Sequence, residues 1–181
     1  GRKRSVIRNS RLNTTKNIRT DSKGIKQIIM VHLDYRNMQE YFRQTKEFIF
    51  LDKVDIEPGE SAKGTKLMSS QDWYFQYHFP GNPVMPGVFQ MEALMQTGGL
   101  IINTLEGKKE IPLLFGECKS VKIKREVRPG DILITDVTLL SYKRGICWFK
   151  GVATVEGKTS CQMEFSLISP TELLQMKKND A

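Results

Sequence analysis

The chain of 181 residues contains no run near the roughly 20 uninterrupted apolar residues that a bilayer-spanning helix requires, and its first residues lack the apolar stretch of a secretory leader. A membrane-embedded or secreted protein is therefore not expected. Cysteine is scarce. Cys118, Cys147 and Cys161 are an odd set without metal-ligand spacing, which argues against a disulfide framework and predicts free thiols in a reducing, cytoplasmic compartment. Histidine is scarcer, with only His32 and His78, so chemistry built on imidazole has two candidates. The sequence has no Walker motif, no dinucleotide-binding glycine fingerprint and no G-x-S-x-G elbow, and no cysteine has a histidine nearby in sequence. Nucleotide, zinc and serine- or cysteine-nucleophile sites lose their signatures together, and neither metal nor cofactor is expected.

Positive charge is in excess, but only locally. The net charge of +8 first suggests an anionic partner such as nucleic acid. Residues 1–26, however, hold nine Lys/Arg against the single acid Asp21, while the rest of the chain carries 19 of each sign. The excess belongs to an arm, residues 1–29, that is rich in Asn, Ser and Thr, has no aromatic residue and cannot bury a core. It reads as a flexible, non-core extension: vector-derived or mis-started, a native contact arm, or a transit remnant. The expected organisation is this arm followed by one catalytic domain over 30–181, with no nucleic-acid partner.

What is present is a domain-sized pattern. Asp34 to Phe42 has an N-cap candidate and helical spacing, which predicts a short helix. Glu47 to Glu57 reads as a strand, turned by Pro58-Gly59 into a second near Ser61–Ser69. A loop dense in Gly and Pro, His78 to Gly87, leads into Val88–Leu105, which is apolar almost all round and so predicts a buried helix about 27 Å long. Four strands follow, at Leu113–Lys124, Asp131–Tyr142, Ile146–Val155 and Lys158–Ile168, separated by turns at Arg128-Pro129-Gly130, Arg144-Gly145 and Glu156-Gly157. Ser169-Pro170-Thr171-Glu172 predicts a capped terminal helix through about Lys177. The fold class is α+β, an antiparallel sheet wrapped around one central helix. Its open edge strands make a homodimer the expected assembly.

Glu92 is the only ionisable side chain between Val88 and Leu105. A carboxylate kept in such a helix needs a hydrogen-bond network, a route to solvent or a chemical task. Gln90 and Gln96 bracket it, and Gln96, one turn along, can fix its rotamer. His78 lies upstream in a loop stiffened by Pro80, Pro83 and Pro86, and such stiffness suits a catalytic group. The loop ends where the helix begins, so the N–H groups of Gly87 and Val88 are first-turn donors for a developing anionic oxygen. A base near neutral pH, a carboxyl in dry surroundings and an oxyanion donor suit abstraction of a proton α to a carbonyl with loss of a β-group.

The run HFPGNPVMPGVFQMEALMQ at 78–96 resembles the active-site signature of the (3R)-hydroxyacyl-acyl-carrier-protein dehydratases of fatty-acid synthesis, a hot-dog fold family. The similarity extends from about Phe48 to Ile168 and includes FLDKV at 50–54, RPGD at 128–131 and RGICWFKGVATVEGK at 144–158. The resemblance implies that His78 acts on the substrate's α-proton. It implies that Glu92 assists departure of the 3-hydroxyl as water, either by protonating it or by holding a water molecule. It further implies that Gly87 polarises the thioester carbonyl through its N–H and that Gln96 supports the carboxyl, with Phe79, Pro86 and Val88 beside them. The implied partner is acyl carrier protein bearing the substrate on phosphopantetheine. The implied assembly is a homodimer with sites shared between subunits, which in the family can build a hexamer as a trimer of dimers. Lys122, Lys124, Arg125 and Arg128 are candidate docking charges for the acidic carrier.

Two stretches depart from the family pattern. Arg43-Gln44-Thr45-Lys46-Glu47-Phe48 stands in place of Pro-His-Arg-Tyr-Pro-Phe, and Glu117-Cys118-Lys119 in place of Gly-Ile-Asp. Glutamate at 92 favours the dehydratase branch over the related dehydratase/isomerases, which carry aspartate there. Competing readings are such an isomerase, a thioesterase of the same fold, and an acyl sensor that uses the basic arm.

Overall fold

The computed structural model describes residues 18–20, 26–28, 30–109 and 111–179, with side chains over 30–109 and 111–175. Most of the basic arm lies outside the described residues. Within it Ile18–Thr20 (β1) and Lys26–Ile28 (β2) pair antiparallel.

The domain is one seven-stranded antiparallel sheet around one long helix. The strands are Val31–Asp34 (β3), Lys53–Glu57 (β4), Ser61–Leu67 (β5), Leu114–Ile123 (β6), Ile132–Lys143 (β7), Ile146–Val155 (β8) and Lys158–Ile168 (β9), in the order β3-β4-β5-β7-β8-β9-β6. The helix Gly87–Asn103 (α1) packs on β4, β5, β7, β8 and β9, and Pro170–Asn179 (α2) ends the described chain. Leu94, Leu100, Ile101 and Ile102 of α1 are almost wholly buried, as are Phe149 and Phe165, whose rings stack on the facing sheet. Each such side chain contributes about 1.5–3 kcal/mol by leaving water. The helix lies so close to β5 that a Cβ on Gly64 would stand 2.4 Å from Thr135 Oγ1 and 2.9 Å from Thr97 Oγ1. Only glycine fits there. The two threonines share a buried hydrogen bond of 2.7 Å, which satisfies hydroxyls that would otherwise be costly to bury.

The turns follow from their residues. Glu60 N–H donates to the Glu57 carbonyl with Pro58 and a positive-φ Gly59 between them, a type II turn. Arg144-Gly145 and Glu156-Gly157 have positive φ at both positions, as tight two-residue hairpins require. In the terminal helix Pro170 takes the first position and Ser169 Oγ accepts from the Glu172 N–H. The Glu172 carboxylate does not complete a capping box; it accepts from Tyr142 Oη at 2.6 and 2.7 Å and pairs with Lys108.

Two sequence expectations fail near the entry to the domain. Asp34 ends strand β3, which pairs with β4, rather than capping a helix. Its carboxylate accepts from the Arg36 N–H and its own N–H donates to Asn37 Oδ1, so polar local bonds turn the chain and only a 3-10 turn, Met38–Tyr41, follows. The strand expected over 47–57 is regular only from Lys53, because Lys46–Phe48 forms another 3-10 turn.

Strand β6 occupies one edge of the sheet and, among the described strands, pairs only with β9. Irregularities between Phe115 and Glu117 and between Cys118 and Ser120 break its alternation, and Leu114, Phe115, Val121 and Ile123 are all exposed.

Candidate active site

Glu92 sits on the first half of α1, on a stripe that the chain itself leaves partly uncovered. Val88 is 61% exposed, and Met91, Glu92, Met95 and Gly99, which follow it along one face at helical spacing, are only half-buried while the rest of the mid-helix is buried. Burial raises the Glu92 carboxyl above the usual carboxylate range, with a smaller opposing effect from the hydrogen bond it accepts from Gln96. That bond, Gln96 Nε2 to Glu92 Oε1, is 3.0 Å. Gln96 is itself 4% exposed and fully engaged: Nε2 also donates to the Phe48 carbonyl at 2.8 Å, and Oε1 accepts from the Phe50 N–H at 2.9 Å. One amide thus hangs the carboxyl from the backbone that leads into β4. Gln90, only two residues from Glu92, points elsewhere and donates to the Arg125 carbonyl at 3.1 Å.

His78 is held differently. Its Nδ1 lies 2.8 Å from the Val84 carbonyl. A carbonyl can only accept, so Nδ1 carries a proton, and in the neutral imidazole Nε2 is then the nitrogen with the free lone pair. The loop closes on itself: Val84 N–H donates to the His78 carbonyl at 2.8 Å, and Phe79 and Asn82 exchange backbone bonds of 2.9 and 3.1 Å. The exposed Phe79 ring stacks on the imidazole with centroids 3.9 Å apart. Within the chain His78 and Glu92 share no hydrogen bond or ion pair; each is occupied by its own partner.

Gly87 opens α1 with Pro86 in the capping position. Among the described residues neither the Gly87 nor the Val88 N–H donates to a backbone carbonyl, so both remain available to a ligand oxygen. A Cβ at Gly87 would stand 2.7 Å from Ile123 Cδ1, which brings the exposed edge strand β6 against the start of α1.

Comparison with known proteins gives the family. The FabA-like domain matches residues 43–164. The chain belongs to the FabA-like family. It is 42% identical over 137 residues to a 3-hydroxyacyl-[acyl-carrier-protein] dehydratase FabZ of Latilactobacillus sakei, covering 75% of this chain and 98% of the relative. It is also 42% identical to a FabZ of Chloroflexus aggregans over 69% of this chain and 89% of the relative. Among solved structures, the dehydratase heterocomplex ApeI:P of Xenorhabdus doucetiae shares the fold at 17% identity, with a TM-score of 0.63 over 77% of this chain and 95% of the other. The Gln96 partner in the stretch 43–48 is the backbone carbonyl of Phe48, a contact that does not depend on the side chains of that stretch.

Lys122 and Lys124 are exposed. Arg125 is bound to the Val155 carbonyl and Glu156, and Arg128 to Asn82, Pro83 and Glu126. The two lysines are thus open to solvent, whereas the two arginines are engaged within the chain. Sequence reasoning missed the Val84 carbonyl and the Arg128 contacts. Backbone groups carry no sequence signal, and the Arg128 pairing spans 46 positions.

Proposed function

We propose that this dehydratase works through His78 and Glu92 at sites shared between two copies of the chain. The activity is that of a hydro-lyase: loss of water from a 3-hydroxyacyl thioester to give the enoyl thioester. In the proposed mechanism the thioester carbonyl accepts from the Gly87 N–H, which stabilises negative charge as the α-proton leaves. The Nε2 atom of His78 takes that proton. The C3–O bond breaks, C2=C3 forms, and Glu92 supplies the proton with which the hydroxyl departs as water. Transfer of the proton from imidazolium back to the carboxylate resets the pair. The observation that carries this reading is the burial-raised Glu92 carboxyl, held by Gln96 at one oxygen so that the other can carry a proton.

The separate hydrogen-bonding of His78 and Glu92 within one chain supports a shared site, as does the β6 edge. Two copies paired along β6 would cover Leu114, Phe115, Val121 and Ile123 and set the partner's loop near Gly87. Acyl carrier protein is the proposed donor of the substrate, with the exposed Lys122 and Lys124 as docking charges. The three free cysteines support a reducing, cytoplasmic setting. Among the described residues no helix is long and apolar enough to cross a membrane.

His78→Ala and Glu92→Gln should each lower turnover by at least about a hundredfold, the usual scale for general acid–base groups. Mixed and re-annealed, the two inactive variants should recover about a quarter of wild-type activity, since half the dimers would carry one intact site. Near-normal turnover in either single variant would refute the assigned roles, and mixing without recovery would refute the shared site.

A further inference from the structure

We propose that Arg128, a residue whose charge by itself suggests carrier docking, is a positioning residue that aims His78. The inference rests on the catalytic role of His78 proposed above. His78 is oriented by a carbonyl on its own loop, so its aim depends on where residues 82–84 are held. Three prolines stiffen the loop but do not attach it to the sheet. The attachment comes from the turn between β6 and β7. The Met85 N–H donates to the Val127 carbonyl at 2.8 Å, and the Arg128 guanidinium reaches over the loop, with Nη1 2.8 Å from Asn82 Oδ1 and 3.4 Å from the Pro83 carbonyl. Nη2 donates to Glu126 Oε2 at 2.5 Å, which fixes the plane of the guanidinium.

The base of that arm is equally fixed. The Arg128 N–H donates to Asp131 Oδ2 at 2.8 Å, and the Asp131 N–H returns a bond to the Arg128 carbonyl at 3.0 Å. Gly130 and Asp131 exchange backbone bonds with Met68 at the end of β5, 2.8 and 2.9 Å. A rigid line therefore runs from the sheet through the turn and Arg128 to Asn82 and Pro83, then to Val84 and His78 Nδ1. The residues of RPGD each take a part in it: the arginine reaches, the proline and glycine shape the turn, and the aspartate caps it. Lysine would keep the charge but not the fork that engages Asn82 and Glu126 together.

The test uses the full-length chain with a 3-hydroxyacyl thioester presented on acyl carrier protein and, separately, as a carrier-free N-acetylcysteamine thioester. Arg128→Ala and Arg128→Lys should both lower kcat roughly tenfold to a hundredfold on both substrates, the scale of a small misplacement of a catalytic group. KM should change little. Imidazole ¹⁵N spectra should show His78 losing its single Nδ1–H tautomer. Asn82→Ala, which leaves the turn intact, should reproduce the loss, and the Arg128→Ala/Asn82→Ala double variant should be no worse than either single one. An unchanged kcat on the carrier-free thioester, or full rescue by lysine with only the carrier-bound KM affected in the alanine variant, would overturn the proposal in favour of a docking charge. His78→Ala measured alongside separates the two failures: an active His78→Ala refutes the role of His78 itself, whereas an inactive one beside an unimpaired Arg128→Ala refutes only the positioning.

Discussion

The two groups proposed to react are held by different physics. Glu92, itself half-buried, is held from the core: it rides on a buried helix, and the amide that orients it is buried and tied to two backbone groups. His78, half-buried as well, is held from a largely exposed loop fixed by proline, by internal backbone bonds and by one arginine. A carboxyl that must hold a proton benefits from a dry setting, whereas a base that meets each incoming substrate needs access. Stability and catalysis should therefore be coupled on the helix side and separable on the loop side.

The largest expected break in that comparison is Gln96→Leu. It strands the buried Phe50 N–H, leaves the part-buried Phe48 carbonyl without its donor and frees Glu92, so it should cost about 3 kcal/mol of stability along with most of the turnover. Denaturant unfolding beside steady-state rates checks this, and the contrast with the loop is lost if stability is unchanged. A smaller effect concerns pH. The folded state raises the Glu92 carboxyl above its ordinary value of 4.5 and so favours the protonated form. The resulting stabilisation is complete below the ordinary value and disappears as pH rises through the raised one. The melting temperature of the wild type relative to Glu92→Gln should accordingly fall as pH increases over that window, and a flat difference would mean that the carboxyl is not desolvated.

The smallest probe is Gly99→Ala. A Cβ there meets only Leu167 and Leu113 at 3.7 and 3.8 Å, ordinary contact distances, so the helix should gain up to about 1 kcal/mol from the better helix former. Gly98→Ala should gain less or lose, because its Cβ would press on Phe165 and Phe149 at 3.2 and 3.4 Å. Thermal melts of the pair decide between these outcomes.

Much of the fold is legible in the order and type of the residues. The all-round apolar character of α1 reflects a helix enclosed by a sheet, and Arg144-Gly145 and Glu156-Gly157 mark hairpins because few residue pairs tolerate two positive φ angles. The terminal helix is visible in Ser169-Pro170 for the same kind of reason: its signal is local. At Asp34–Phe42 local spacing misleads, since Asp34 and Asn37 satisfy backbone groups as well in a turn as at a helix cap, and pairing of β3 with β4 decides between them.

The sequence by itself determined the helix that carries Glu92 and the stiff loop that carries His78, and it named the side chains proposed to react, because those depend on residue type and short-range spacing. Tertiary structure alone decided how the two are held. The Phe48 and Phe50 backbone groups reach Gln96 across 48 and 46 positions, and Arg128 reaches Asn82 across 46. Bonds to backbone atoms are indifferent to side-chain identity, and bonds across such separations exist only once the sheet has closed around its helix.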